Sequence, residues 1–242
     1  MNKLTRLFVI GVMLFGLSGC GFIDYYLLPP AEDTAQELYE AGVEAMAAKN
    51  YSDATEYFQK LKDRYPFSPY APKAEIGLGD ANFLDGEYPF AADVYQEFEA
   101  LHPRHEMIEY VLYQIGMSNY LSFTSIDKPL NRIHTASEYF RRLVENYPDS
   151  KYASEAKHYI VECRRKLAEH EIFVADFYWR SERYGAAWER YLFVAVNYAD
   201  LPEVVSYAGK RAQLAYLRHQ QTLSEEERER IQGSWKQWFD WL

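Results

Sequence analysis

Residues 54–66 read ATEYFQKLKDRYP, and four of them are spaced 4, 3 and 5 residues apart, namely Ala54, Phe58, Leu61 and Pro66. The same pattern recurs three times, the last time without the proline: Ala91, Tyr95, Phe98 and Pro103; Ala136, Phe140, Leu143 and Pro148; Ala187, Tyr191, Val194 and Ala199. A small residue lets two helices approach closely, an aromatic residue one turn later fills the groove between them, and a proline ends the helix. The pattern therefore indicates the second helix of a repeated helix pair.

An apolar residue followed by a small one precedes each copy: Ala41-Gly42, Leu78-Gly79, Ile115-Gly116 and Val174-Ala175. The second member lies 12, 12, 20 and 12 residues before the motif alanine, so the third copy carries an insertion between Ser122 and Ile133. This arrangement is typical of tetratricopeptide repeats. We therefore expect an all-α protein, a right-handed α-solenoid of about five tetratricopeptide (TPR-like) helix pairs.

Caps and helix-breaking residues predict where the helices lie. Thr34 and Glu37 form the pattern of a capping box, as do Ser224 and Glu227. Residues 150–182 contain neither glycine nor proline, which predicts a single helix of about thirty residues. The expected ten helices span about 34–49, 52–65, 72–85, 88–101, 106–123, 133–147, 150–182, 185–198, 203–221 and 225–238.

The N-terminus has the features of an export signal. Lys3 and Arg6 precede an apolar run from Leu7 to Leu17, which is too short to span a bilayer. The run ends in Leu17-Ser18-Gly19-Cys20, which resembles a bacterial lipobox; an ordinary secretory signal with a coincidental cysteine is the alternative. We expect residues 1–19 to be a lipoprotein signal peptide and Cys20 to carry the lipid. Because Gly21 stands where an inner-membrane retention signal would usually have Asp, we expect an anchor on the periplasmic face of the outer membrane.

Residues 20–33 are interpreted as a lipidated tether, because Pro29-Pro30 favours extended structure. The segment is unusually apolar for a linker, and we expect it to lie against either the membrane surface or the folded domain. Residues 34–148 are expected to hold repeats 1–3 and a peptide groove, and residues 149–242 repeats 4–5 and a docking surface. With Cys20 lipidated, Cys163 has no partner in the chain for a disulfide and is expected to be a small buried hydrophobe.

The residue content argues against several classes of function. A net charge of −10 argues against nucleic-acid binding, which needs a basic surface. Residues 102–106 resemble a metal-ligand spacing but occupy a turn between repeats, so we expect neither a metal nor a cofactor. The chain has no Gly-x-Ser-x-Gly nucleophile motif, and we expect it not to be an enzyme.

Solenoids of this type bind peptides or proteins on their concave face. In tetratricopeptide arrays the first helix of each pair lines this face through positions spaced 3 and 4 residues apart. Here they are Tyr39, Val43 and Met46 (after Gln36), then Lys73, Ile76, Asp80 and Phe83, then Tyr110, Tyr113, Met117 and Tyr120. The alternative is that several of these side chains pack between repeats. Such a groove suits an extended peptide with aromatic side chains, and Lys73 or Arg64 is a candidate to neutralise a C-terminal carboxylate.

Three segments carry a resemblance to a known family: residues 64–70 (RYPFSPY), 108–116 (IEYVLYQIG) and 146–152 (NYPDSKY), with His102-Pro103 between the first two. From about Thr34 to Asp200, and in its lipobox, the chain resembles the BamD (ComL) family of lipoproteins of the β-barrel assembly machinery. The resemblance implies an outer-membrane location and recognition of C-terminal signals on unfolded outer-membrane β-barrel proteins by the N-terminal repeats. It also implies docking to the POTRA domains of BamA through the C-terminal half, with small lipoprotein neighbours such as BamE.

Within that half, Arg190 matches a family arginine and is, with Trp188, the candidate for partner binding. Two features depart from the family pattern: Tyr198-Ala199-Asp200 replaces Tyr-Pro-Asp, and the region after Leu201, with Trp235, Trp238 and Trp241, matches nothing in the family. Two alternatives therefore stay open. One is a tetratricopeptide lipoprotein that acts as a scaffold for pilus secretin assembly or for peptidoglycan enzymes. The other is a solenoid cell-wall enzyme, which would require a catalytic glutamate in a deep cleft.

Overall fold

The computed structural model describes residues 33–239, and every regular element among them is an α helix. Each helix packs mainly against its neighbours in the chain, as in a TPR-like solenoid. The helices are α1 (Ala35–Ala47), α2 (Tyr51–Arg64), α3 (Ala71–Leu84), α4 (Tyr88–Leu101), α5 (Ile108–Leu121), α6 (Asn131–Asn146), α7 (Ala153–Arg180), α8 (Tyr184–Asn197) and α9 (Pro202–Phe239).

Two helix features predicted from the sequence are confirmed: the capping box at Thr34 and the single long helix within residues 150–182. The Glu37 backbone N–H donates to Thr34 Oγ1 at 3.2 Å and the Thr34 N–H donates to Glu37 Oε2 at 2.8 Å, which completes the capping box of α1. The stretch of residues 150–182 contains one helix, α7 (Ala153–Arg180), of 28 residues. Its length is about 42 Å at 1.5 Å per residue.

The prediction of a fifth helix pair is wrong. Residues 202–239 form the single helix α9, so four pairs are followed by one long helix in the described part of the chain. Ser224, expected to cap a tenth helix, lies inside α9, where its hydroxyl donates to the Gln220 carbonyl at 2.8 Å. A serine that bonds back to the preceding turn is compatible with a continuing helix, and residues 210–232 contain no glycine or proline to end it.

Close contact between a glycine and an aromatic ring holds each of the first three pairs together. The rings of Phe58, Tyr95 and Phe140 are buried and lie directly on the glycines of the preceding helix: Gly42, Gly79 and Gly116. A Cβ added at Gly79 would lie 2.5 Å from Tyr95 Cε1, and one at Gly116 would lie 2.5 Å from Phe140 Cε1. In the fourth pair Ala175 stands in the place of the glycine and is also fully buried.

The connections between successive pairs share one turn. The residue three positions after each turn-opening aromatic donates its N–H to that residue's carbonyl: Ser68 to Tyr65, His105 to His102, Ser150 to Tyr147, and Leu201 to Tyr198. The repetition of this bond shows that the turns are structurally equivalent, including the last one, in which alanine replaces the proline.

Three predictions made for the N-terminal segment lie outside the described residues: the signal peptide of residues 1–19, the lipidated Cys20 and most of the tether of residues 20–33. Within residues 33–239, no helix combines the length and the apolar character that crossing a membrane requires. Cys163 is fully buried, as expected, and burial raises the pKa of its thiol to about 12.

We expect Gly79→Ala to lower the free energy of unfolding by about 1–3 kcal/mol, because the added methyl overlaps the buried Tyr95 ring. Gly209→Ala in α9 is the matched control, because the space around its Cβ position is open within 4 Å. That change should be neutral or should stabilise the protein by up to about 1 kcal/mol through helix propensity. Urea unfolding measures both, and equal effects of the two changes would contradict the importance of the glycine contact.

Candidate peptide-binding groove

A groove of about 390 Å³ lies between α1, α3 and the turn that precedes α5. Three predicted residues of α1 line it, Tyr39, Val43 and Met46, and three of α3, Lys73, Ile76 and Asp80. The structure thus brings together the positions that the repeat pattern selected on the first two pairs. Val43 is 46% exposed and Ile76 is 8% exposed, so the groove has an open apolar rim and a buried apolar floor.

Part of the groove wall was missed by the sequence analysis. His105, Glu106 and Met107 in the turn before α5 face the groove, and Phe58 and Gly77 contribute to its base. The sequence predicts a turn between repeats at this place and assigns it no part in the groove. Six residues connect α4 to α5, as in the turns after α2 and α6, so the contact with the groove comes from how α4 and α5 are placed.

Asp80 lies at the inner end of the groove in a network of hydroxyl groups. The hydroxyls of Tyr95 and Tyr110 both donate to Asp80 Oδ1 at 2.5 Å, and Gln114 Nε2 donates to Tyr110 Oη at 2.9 Å. Burial raises the pKa of Asp80, and the hydrogen bonds from Tyr110, Tyr95 and Gln114 oppose that rise. Burial and the charge of Asp80 likewise raise the pKa values of Tyr95 and Tyr110, which keeps both hydroxyls as donors.

The C-terminal half contains a second network of the same design. The Tyr191 hydroxyl donates to Asp176, and Tyr207 donates to Asp176 Oδ1 at 3.4 Å. Arg211 takes the place of Gln114: its Nε donates to Tyr191 Oη at 3.2 Å, and its guanidinium lies 4.3 Å from the centre of the Trp179 ring. Both networks therefore follow one rule, in which an aspartate after the small residue of the first helix pairs with a tyrosine of the second.

The remaining predicted groove residues are covered by neighbouring helices. Tyr113 and Met117 are 9% and 8% exposed, and Tyr113 stacks on Tyr152 at 5.1 Å. Tyr120 packs on Tyr159 at 5.0 Å, and Phe83 packs on Tyr88 at 5.3 Å. Tyr110 is engaged by Asp80. These residues follow the alternative of packing between repeats. Tyr152, just before α7, and Tyr159 of α7 pack on the face of α5, and Tyr88 of α4 packs on Phe83 of α3.

The two residues predicted for partner binding do not form one patch. Arg190 is exposed and its Nη1 bonds Glu171 Oε2 of α7 at 2.6 Å. Trp188 is half-buried and packs on Tyr216 of α9, with the ring centres 5.1 Å apart. Residues two apart on a helix point about 200° from each other, which separates the two side chains.

The two histidines in the turn before α5 contact residues of the neighbouring helices. His102 Nε2 lies 3.1 Å from Glu75 Oε2, and the His105 ring packs on Phe98 at 5.2 Å. Within the part of the chain that the structure describes, no group of three or more His, Cys, Asp or Glu residues is arranged to hold a metal ion.

The chain is similar to curated proteins named outer membrane protein assembly factor BamD. That of Pasteurella multocida is 28% identical over 211 residues, 83% of this chain and 79% of its own length. That of Vibrio cholerae is 27% identical over 183 residues (72% and 74%), and that of Rickettsia prowazekii is 28% identical over 195 residues (81% and 76%).

The model of the YfiO family, described as an outer membrane lipoprotein, matches residues 31–230. The chain belongs to the BamD family. The match extends from before α1 to residue 230 in α9, so the expectation that the resemblance ends near Asp200 is wrong; it includes the groove and both aspartate–tyrosine networks. The BamD relatives are named as assembly factors and not as enzymes.

The raised pKa of Asp80 predicts a pH-dependent difference between the protein and Asp80→Asn. The unfolded chain releases this proton near pH 3.8, whereas the folded chain holds it to higher pH, so ionisation of Asp80 destabilises the fold as the pH rises. The stability of the parent protein relative to Asp80→Asn should therefore fall from about pH 4 upward, as urea unfolding at a series of pH values would show.

Tyr95→Phe tests the cause of that behaviour. It removes a hydrogen bond that favours the carboxylate, and so it should raise the pKa of Asp80 in the folded protein further. The decline should still begin near the pKa of the unfolded chain but should continue to higher pH and become larger. A decline of unchanged extent in Tyr95→Phe would show that the hydroxyl has no influence on Asp80.

Proposed function

We propose that this protein is a non-catalytic, outer-membrane lipoprotein subunit of the β-barrel assembly machinery, anchored on the periplasmic face through a lipid on Cys20. In this role its groove recognises C-terminal signals of unfolded outer-membrane β-barrel proteins, and its C-terminal half binds the POTRA region of BamA beside BamE-like lipoproteins. The observation that carries the proposal is the open groove between α1 and α3 in a chain of the BamD family.

The chemistry of the groove fits the end of an apolar, extended peptide. Ile76 and Phe58 form an apolar base for a side chain, and Tyr39 and Met46 flank it. Lys73 is exposed at the groove and makes no ion pair with any described residue, so its ammonium group is available to a carboxylate. A peptide that ends in an aromatic residue and a free carboxylate has both features that this surface complements.

The surface of α8 supports the docking role of the C-terminal half. Leu192, Phe193 and Val196 are 43%, 46% and 66% exposed on this helix, and Arg190 lies one turn before Phe193 at the edge of this face. Exposed apolar residues that cluster next to a charged side chain are typical of protein interfaces. We propose this surface of α8 as the part that meets the POTRA region.

Peptide binding tests the groove directly. Val43→Asp places a charge on the apolar rim and should weaken binding of a C-terminal β-barrel signal peptide at least tenfold in fluorescence anisotropy. Val161→Asp is the matched control, because Val161 on α7 is 40% exposed, close to the 46% of Val43, and lies away from the groove. Equal weakening by both variants, or by neither, would count against the groove as the peptide site.

A second comparison isolates the terminal carboxylate. Lys73→Gln should weaken binding of the free-acid peptide about three- to tenfold and leave the amidated peptide unchanged, because only the free acid carries the charge. An equal loss for the two peptides would assign Lys73 to another part of the peptide.

Purification in mild detergent tests the assembly role. A POTRA-bearing barrel protein should be recovered in stoichiometric amount with the lipidated protein, and Arg190→Glu should reduce its yield. Recovery of secretin or cell-wall proteins with no barrel subunit would favour the alternative of a TPR lipoprotein scaffold for pilus secretin assembly or for peptidoglycan enzymes.

A further inference from the structure

The turn between α2 and α3 carries an unusual residue. Phe67 is 99% exposed. It is the third of the four turn residues 65–68, which are closed by a hydrogen bond from the Ser68 N–H to the Tyr65 carbonyl at 3.0 Å. The equivalent third positions of the other three turns hold Arg104, Asp149 and Asp200, all of them exposed. A fully solvated turn favours such charged residues, so Phe67 is the apolar exception among the four equivalent positions.

A second groove, of about 410 Å³, lies beside this phenylalanine. It is formed by Thr34 and Ala35 at the start of α1 together with residues 64–68 of the turn, and it is lined mainly by apolar atoms. It is separate from the peptide groove, with which it shares no residue.

The chain reaches α1 at the edge of this second groove. The Tyr65 hydroxyl donates to the Asp33 carbonyl at 2.8 Å, and Lys60 Nζ lies 3.1 Å from Asp33 Oδ2. With the capping box at Thr34, these contacts fix residue 33 against the turn. Whatever precedes residue 33 therefore starts next to Phe67.

The segment before residue 33 is apolar, like the groove, and is long enough to reach it. Six of the seven residues 22–28 (FIDYYLL) are apolar or aromatic. Leu28 is five residues before Asp33, within about 17 Å of it in an extended chain. Pro29-Pro30 favours an extended chain, and this reach is enough for Tyr25 to Leu28 to contact the groove.

We propose that the second groove is the docking site of the protein's own tether, with residues 25–28 covering Phe67. The apolar tether then lies on the solenoid and not on the membrane surface, and the position of the anchored residue is coupled to the first turn. This inference does not depend on the identity of the peptide or of the partner proteins.

Photo-crosslinking of the full-length lipidated protein tests the contact, both in its membrane and in mild detergent. Benzoylphenylalanine at position 67 should crosslink within the chain to residues 21–30, as mapped by mass spectrometry. The same probe at position 90 is the matched control, because Phe90 is also a highly exposed phenylalanine, at 62%, and lies on α4 outside the groove. Crosslinks from position 67 to lipid or to another protein, with none to residues 21–30, would overturn the proposal.

Limited proteolysis gives an independent measurement. Chymotrypsin should cut the tether after Tyr25, Tyr26 or Leu27 at least fivefold faster in Phe67→Ser than in the parent protein, and at the parent rate in Phe90→Ser. Because both side chains are exposed, neither change should affect folding. An equal cutting rate in the parent and in Phe67→Ser would contradict tether docking.

Discussion

The structure depends on a ring that lies directly on a glycine. Phe58, Tyr95 and Phe140 each occupy the space where a side chain of the preceding helix would otherwise be, and the two helix backbones approach as closely as the ring allows. The same contact also positions polar chemistry. Where the ring is a tyrosine, its hydroxyl reaches the residue after the small one, and that residue is Asp80 or Asp176; where the ring is phenylalanine, the corresponding residue is Val43 or Met117. The aromatic position and the position after the small residue therefore determine both how the two helices pack and whether a polar group lies beside the contact.

The sequence could predict those features that depend on local spacing. The helices of the four pairs, the Thr34 capping box and the length of α7 follow from motifs, caps and the absence of helix-breaking residues. The prediction of a fifth pair was wrong because a serine can either cap a helix or bond back to the preceding turn. Ser224 bonds back to Gln220, and the residues around it contain no helix breaker. Boundaries of this kind depend on tertiary context as much as on the cap itself.

The groove was predictable only in part, for a physical reason. Helical spacing identifies the face of α1 or α3 that turns toward the concave side, and Val43, Ile76 and Asp80 are found there. It cannot show what covers that face. On α5 the same positions are covered by Tyr152, just before α7, and by Tyr159 of α7, which lie more than thirty residues later in the sequence. Likewise, the reach of the turn at His105 depends on how α4 and α5 are placed and not on the residues of the turn.

The long helix α7 contributes buried residues to three core clusters. Cys163 packs into the cluster built around Tyr95 and Phe140, while Ala168 and Ala175 pack into the clusters around Val194 and Tyr191. A loop at this place would allow the two halves of the solenoid to move relative to each other. An unbroken helix that packs along its length holds them in fixed positions. The helix α7 therefore fixes how the two halves of the solenoid are placed relative to each other. In mechanical terms the solenoid has no hinge at this place, so a displacement of one half carries the other half with it.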